Sequence, residues 1–283
     1  MTFTTLIDAA SLASHLHSQD WVLIDCRFEL GNPAAGEAAY AAGHIPGAVY
    51  AHLDQDLAGP VGPTTGRHPL PEPAVFAARA GAWGIDREVQ VVVYDQGNSF
   101  FAARAWWLFR WLGHERVAVL DGGLAAWTAA GHALDRSTPS ARPRTFQPTV
   151  NSAMVTDATR VLQAVTAAEQ RLVDARGADR YAGENETIDP IGGHVPGAVN
   201  HHYARNYLAD GRMKHANMLR ADWQATLAGQ PPDELIAMCG SGVSACVNLL
   251  ALEHAGLKGA RLYPGSWSEW IKDPSRPLAR GRD

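Results

Sequence analysis

Residues 235–250 read Leu-Ile-Ala-Met-Cys-Gly-Ser-Gly-Val-Ser-Ala-Cys-Val-Asn-Leu-Leu. The apolar run from Leu235 to Met238 predicts a short buried strand. It ends at Cys239, after which Gly240 and Gly242 let the backbone curl where side chains would clash. Helical spacing follows at once, with Val243, Val247, Leu250 and Leu252 roughly on one face. The pattern sets a cysteine at the mouth of a loop that opens into a helix N-terminus. Unpaired N–H groups and the positive end of the helix dipole favour an anion there, so a thiol in that position loses its proton more readily. A structural cysteine could also follow a strand, but it has no need of Gly-Ser-Gly beside it. The glycines favour a nucleophilic thiolate cradled by backbone amides.

No Arg or Lys lies between Cys239 and Cys246. A cysteine phosphatase closes its loop with an Arg that pairs bidentately with phosphate. The group held here is therefore expected to be smaller or less charged than a phosphoryl dianion, with backbone amides doing most of the holding. A sulfur atom carried on the thiolate as a persulfide fits that description.

The 283 residues suffice for two domains. Apolar content of 46% with 19% charged residues is that of a globular protein, and a net charge of −5 offers nucleic acid no basic field. The stretch from Met1 to Asp8 has neither a basic region nor a long apolar run, so neither export nor a membrane span is expected. Cys26, Cys239 and Cys246 are too few and too odd in number for a disulfide framework, which makes a reducing cytoplasm the expected setting.

Along the chain, Asp8–His17 has helical spacing, Trp21–Asp25 reads as a buried strand, and Gly43-His-Ile-Pro-Gly-Ala-Val-Tyr50 as a turn entering another. A Gly- and Pro-rich loop from Leu57 to Pro73 contains Gly66-Arg-His-Pro-Leu-Pro71, and loops that long inside a domain are usually functional. Helical spacing at 74–83, a strand at 89–94, an apolar helix at 100–112, a strand at 117–120 and Asp121-Gly-Gly before Trp127 complete the first half. Ser137–Pro148, with three prolines and no periodicity, reads as a linker.

After it the plan starts again. Leu172-Val-Asp-Ala-Arg176 answers Leu23-Ile-Asp-Cys-Arg27, and Gly193-His-Val-Pro-Gly-Ala-Val199 answers Gly43-His-Ile-Pro-Gly-Ala-Val49. Leu235–Cys239 answers Val91–Asp95, and Pro264-Gly265 to Trp270 answers Asp121-Gly122 to Trp127. Four matches in one order indicate a tandem duplication, and the alternation of strands and helices predicts an α/β fold, each half a mainly parallel sheet flanked by helices on both faces. The expected division is 1–136, a linker at 137–149, and 150–283. Asp95 stands in the slot that Cys239 fills, so the first copy is expected to be non-catalytic. Ligands gather at the carboxyl ends of parallel strands, which puts the expected site between the halves.

These residues carry a likeness. The repeated Gly43–Ala48 and Gly193–Ala198 turns, Asp121-Gly-Gly to Trp127, Asp174-Ala-Arg176 to Arg180-Tyr181, and above all Cys239-Gly-Ser-Gly-Val-Ser-Ala245 resemble the two-domain rhodanese superfamily, most closely its 3-mercaptopyruvate sulfurtransferase branch. Thiosulfate-preferring members typically carry a basic pair after the Cys, which is absent here, and Ser244 stands where Thr is usual. The resemblance implies tandem rhodanese-like domains and a two-step exchange. Cys239 takes sulfur from the small-molecule donor 3-mercaptopyruvate, and a thiol acceptor such as a thioredoxin-like protein, or cyanide, removes it. Gly240, Gly242, Val243 and Ser244, with Ser241, would present their amides to the persulfide. Ser241 would act in a relay with His68 and Asp54, and Arg180 would bind the donor carboxylate. A second arginine that many members carry downstream has no counterpart.

Other signals carry less. The twelve histidines include His201-His202 and the pair His15 and His17, but none joins a Cys or carboxylate at metal-ligand spacing, so no metal and no cofactor is expected. His44 and His194, Asp25 and Asp174 occur in both halves and read as structural, Trp106, Trp107 and Trp111 as helix packing, and Cys246 as a buried thiol, with the role of redox partner to Cys239 as the alternative. The alternatives are thiosulfate as donor, a cysteine phosphatase, and a non-catalytic persulfide carrier.

Overall fold

The structure is a computed structural model that describes residues 2–167 and 170–282. Met1 and Asp283, the outer limits of the expected domains, lie outside the described residues. The chain forms two compact units. The first comprises Met1–Gly59, Leu70–Asn151 and Tyr207–Met213, and the second Pro60–Pro69, Ser152–Asn206 and Lys214–Asp283.

In the first unit the strands are β1 (Leu6–Ile7), β2 (Trp21–Asp25), β3 (Val49–Tyr50), β4 (Gln90–Tyr94) and β5 (Val117–Leu120), in the order β1-β5-β4-β2-β3. Every pairing is parallel. Parallel neighbours cannot be joined by a tight turn, so helices such as Pro73–Ala82 and Ala102–Trp111 carry the crossovers. Pro73 starts its helix where its missing N–H costs nothing, and Asp8 caps the helix Ala9–Ala13 through the N–H of Ser11. All of β4 and β5 is buried on both faces, as expected for a sheet covered on two sides. Trp106, Trp107 and Trp111 are buried in the crossover helix, the expected packing role.

The second unit repeats the plan. Its strands β6 (Arg171–Asp174), β7 (Val199–Asn200), β8 (Leu235–Met238) and β9 (Arg261–Leu262) run β7-β6-β8-β9, all parallel, and Val155 bridges Leu262 beyond β9. That is the first sheet's order, β3-β2-β4-β5-β1, with Val155 in place of the edge strand. Two parallel-sheet α/β units of one topology follow from one pattern used twice.

The repeated residues are clamps. Arg27 pairs with Asp25 at 2.6 Å and donates to the Gly43 carbonyl at 2.7 Å, while Arg176 pairs with Asp174 at 2.7 Å and donates to the Gly193 carbonyl at 2.7 Å. Each ties the end of a central strand to the repeated turn. His44 stacks on Tyr40 with centroids 4.0 Å apart and His194 on Tyr181 at 3.8 Å, and each imidazole Nδ1 meets the carbonyl of the tyrosine beneath it. These histidines fix turns and touch no reactive group.

Residues 137–149, expected as a linker, lie along the first unit. Arg144 donates its N–H to Gly81, Thr149 to Leu112, and Phe146 is buried against Phe109 and His114. One buried aromatic ring and a few carbonyls left over at helix ends are enough to hold the proline-rich segment down. No helix among the described residues is long and apolar enough to cross a membrane.

Each unit also buries a histidine in its neutral form. Burial pushes His114 down to about 4 and His201 down to about 3, against an ordinary 6.5. Below pH 6.5 the unfolded chain binds protons that the folded one refuses, so stability present above that pH is lost as pH falls. At pH 5 the loss is about 2 kcal/mol for each histidine. The urea midpoint should drop between pH 7.5 and pH 5, and His114→Phe should flatten that dependence. A midpoint that stays level over this range would show that neither histidine is held neutral.

Candidate active site

The candidate site is built on β8. Its four residues are fully buried, and the chain leaves the sheet at Cys239, which is a free thiol only 2% exposed. Gly242 then takes φ +74°, and a Cβ there would lie 2.5 Å from the Pro264 carbonyl oxygen. Only glycine makes this turn. The turn brings the Gly242 N–H back to Cys239 Sγ at 3.2 Å. Ser244 leads into the helix Ala245–His254, with the Val243 and Ser244 carbonyls accepting the N–H groups of Cys246 and Val247. Cys246 is buried and points its Sγ at the Gly242 carbonyl, 3.4 Å away.

A second loop braces the first. Trp267 and Ser268 donate their N–H groups to the carbonyls of Cys239 (3.0 Å) and Gly240 (2.9 Å). Ser266, buried at φ +53°, accepts the Cys239 N–H at 3.1 Å and donates to the Tyr263 carbonyl at 2.9 Å. A non-glycine residue in the left-handed region costs energy, and here the hydroxyl bonds hold it there. The braced loop keeps the Gly242 N–H directed at the sulfur, where an anionic sulfur can receive it.

The segment Pro60–Pro69 belongs to this unit although it comes from the first half of the sequence. A Cβ on Gly66 would run into the Gly265 carbonyl, so a glycine is needed for the close approach, and the Arg67 N–H donates to Ser268 Oγ at 3.0 Å. The next residue, His68, sets Nδ1 2.8 Å from Ser241 Oγ, with both side chains buried. Two residues of the expected relay are thus in hydrogen-bond contact. Asp54 lies in the first unit, in the short helix Leu53–Asp56, with its side chain exposed.

The loop itself carries no cation, but guanidinium groups approach it from elsewhere in the unit. A Cβ on Gly240 would stand 2.8 Å from Arg67 Nη2 and 3.5 Å from Arg180 Nη2. Two guanidinium groups thus flank the residue after the nucleophile, both brought from outside the loop. Arg180 is partly buried and pairs with Glu186 at 2.9 Å and Asp189 at 3.2 Å, while Arg67 pairs with Asp189 from the other side. Burial works to raise Glu186, but the Arg180 guanidinium and the N–H groups of Asp189 and Ile188 outweigh it and hold the carboxyl below its usual value. Asp189 goes the other way, raised by burial despite both guanidiniums. In the sequence Arg67 is one residue of the Gly66–Pro71 stretch, with no role of its own. Its only signal was the neighbouring glycine and histidine in a loop too long to be idle.

The first unit holds the same cradle with its anion built in. Leu124 and Ala125 donate to the carbonyls of Asp95 and Gln96, the bonds that Trp267 and Ser268 make in the second. The Asp95 carboxylate turns into the loop and accepts the N–H groups of Gly97, Ser99, Phe101 and Ala102. Burial pushes its carboxyl up while these four donors pull it down. Among the described residues no group of three or more His, Cys, Asp or Glu side chains is placed to hold a metal ion.

A profile of the family described as "Rhodanese-like domain" matches residues 8–130 and again 157–273. The chain is 48% identical over 283 residues to a Pseudomonas aeruginosa protein named "Probable 3-mercaptopyruvate sulfurtransferase", covering 99% of this chain and 100% of that one. It is 35% identical over 249 residues to the thiosulfate sulfurtransferase of Bos taurus, covering 85% and 82%. The crystal structure of the Escherichia coli 3-mercaptopyruvate sulfurtransferase SseA superposes with a TM-score of 0.81 at 34% identity, over 94% of this chain and 100% of that one.

Asp95→Ala leaves four N–H groups without their acceptor and should cost about 3 kcal/mol of stability, with Asp95→Asn intermediate. The folded variants should transfer sulfur at the wild-type rate. Calorimetry gives the first quantity and steady-state assay the second; unchanged stability would mean that the carboxylate is not holding the loop.

Proposed function

Because the chain belongs to the rhodanese family, with two copies of its domain, we propose that it is a sulfurtransferase that moves sulfur from 3-mercaptopyruvate to a thiol or cyanide through a persulfide on Cys239. One observation carries this reading: the Cys239 thiol accepts a backbone N–H at 3.2 Å, in a loop whose next residue lies under two guanidinium groups.

In the first step the Cys239 thiolate attacks the donor sulfur. An S–S bond forms, the C–S bond breaks, and its electron pair stays on carbon as the enolate of pyruvate. The donor's S–H proton ends on that carbon, and Ser241 with His68 is the pair suited to carry it, being 2.8 Å apart. Asp54 is the third member of the proposed relay, and Arg180 the carboxylate ligand. In the second step an acceptor thiol, such as that of a thioredoxin-like protein, or cyanide attacks the outer sulfur and the Cys239 thiolate departs. The outer sulfur stands about 2 Å beyond Sγ, so the atom to be transferred lies further out than the nearly closed thiol itself. A desolvated thiolate also gains more from each N–H dipole than one in water. The first unit, with Asp95 in its cradle, has no sulfur nucleophile at this position and is proposed as non-catalytic.

Thiosulfate is the second reading for the donor. Two guanidiniums over Gly240 suit a sulfonate as well as a carboxylate.

Cys239→Ser should abolish pyruvate release, and intact mass after exposure to the donor should show one added sulfur in the wild type and none in the variant. His68→Ala and Ser241→Ala should each lower kcat on the order of a hundredfold. Arg180→Ala should raise KM for the donor about tenfold while leaving transfer to cyanide nearly unchanged. Initial-rate plots should be ping-pong. Pyruvate release by Cys239→Ser at the wild-type rate would sink the assignment.

A further inference from the structure

The two guanidinium groups beside the Cys239 loop are already occupied. Asp189 Oδ1 pairs with Arg67 Nη1, and its Oδ2 accepts from Arg180 Nη2 at 3.2 Å. The Asp189 side chain is only 2% exposed, so its charge has been taken out of water and is held by these two cations. Glu186 fixes it in place. Its Oε1 accepts from Arg180 Nε at 3.0 Å and from the N–H groups of Ile188 (2.9 Å) and Asp189 (3.0 Å), which shapes the turn that carries Asp189. The cluster of Arg67, Arg180, Glu186 and Asp189 is formally neutral. Arg176 behind it also reaches Glu186, Nη1 to Oε2 at 3.5 Å, but its charge is balanced by Asp174 at 2.7 Å, so the sum stays neutral.

A site built only to attract anions would leave the arginines uncompensated. Each unit of negative charge on a donor is attracted by the guanidiniums and repelled by Asp189, so the carboxylate penalises a dianion more than a monoanion. 3-Mercaptopyruvate with its thiol protonated carries one negative charge and thiosulfate carries two. We propose that Asp189 sets donor choice: as a built-in carboxylate on the Arg67–Arg180 pair, it lowers the charge of the pair and favours a monoanionic α-keto acid over dianionic thiosulfate. The inference rests on the sulfurtransferase reading above. It makes Asp189 a positioning and charge-setting residue for that reaction, and Arg67 a donor-anion ligand beside Arg180.

Asp189→Asn keeps the shape and removes one charge. With kcat/KM measured for both donors at one ionic strength, the thiosulfate-to-mercaptopyruvate ratio should rise about tenfold, through KM and not kcat. Binding of sulfate should tighten more than binding of pyruvate. Asp189→Glu, which restores the charge on a longer arm, should return the ratio toward the wild-type value. Arg67→Ala combined with Asp189→Asn, which removes one charge of each sign, should do the same. If both donors move alike in Asp189→Asn, or if Asp189→Glu shifts the ratio as far as Asp189→Asn does, the carboxylate only shapes its turn and the inference is wrong. A wild type that turns over neither donor would defeat the sulfurtransferase reading instead. The comparison of sulfate with pyruvate, made by calorimetric binding, would still decide whether Asp189 selects by charge.

Discussion

Two backbone hydrogen bonds hold the reactive loop in shape: the N–H groups of Trp267 and Ser268 on the carbonyls of Cys239 and Gly240. With those carbonyls turned outward and satisfied, the loop can curl at Gly242 and return an amide to the sulfur. Ser266 completes the brace by accepting the Cys239 N–H from a left-handed backbone that only its hydroxyl bonds make tolerable. A side chain at Gly242 would meet the Pro264 carbonyl and open the brace. The chemistry therefore rests on main-chain geometry, and the side chains are added to it.

The duplicated half shows the same cradle with a carboxylate where the second has a thiol. The same brace is made by Leu124 and Ala125, and the same strand end is tied to its turn by an Asp–Arg clamp. There the loop amides receive the carboxylate of Asp95. One copy completes its anion site internally and gains a rigid loop, and the other leaves a thiol at that place. A carboxylate that accepts four N–H groups cannot be exchanged, whereas a thiolate that accepts one can take on a further atom.

The charged rim of the second unit follows a similar economy. Arg67 and Arg180 reach within a few ångströms of Gly240 while Glu186 and Asp189 neutralise them, so two guanidiniums stand beside the loop without a strong local field. Arg67 and His68 are adjacent in sequence, and fixing one fixes the other. The Arg67 N–H on Ser268 Oγ and the glycine before it pin the segment that delivers both.

Much of this was legible before any coordinates. Strand, cysteine and glycine turn are written into 235–250 because local sterics dictate them, and the matched motifs around Asp25, Asp174, Gly43 and Gly193 announce the duplication and its parallel sheets. The Ala34–Ala42 helix carries little signal in the sequence because it is alanine-rich and has no capping side chain. The Arg67–Asp189 pair and the brace at Ser266 were not legible either, and nothing in the loop's own residues signalled a second guanidinium beside Arg180. Local sequence determines backbone shape, since φ, ψ and hydrophobic period are properties of neighbours. Which charges meet over Gly240 depends on residues 67, 180 and 189, and only the packed unit brings these together.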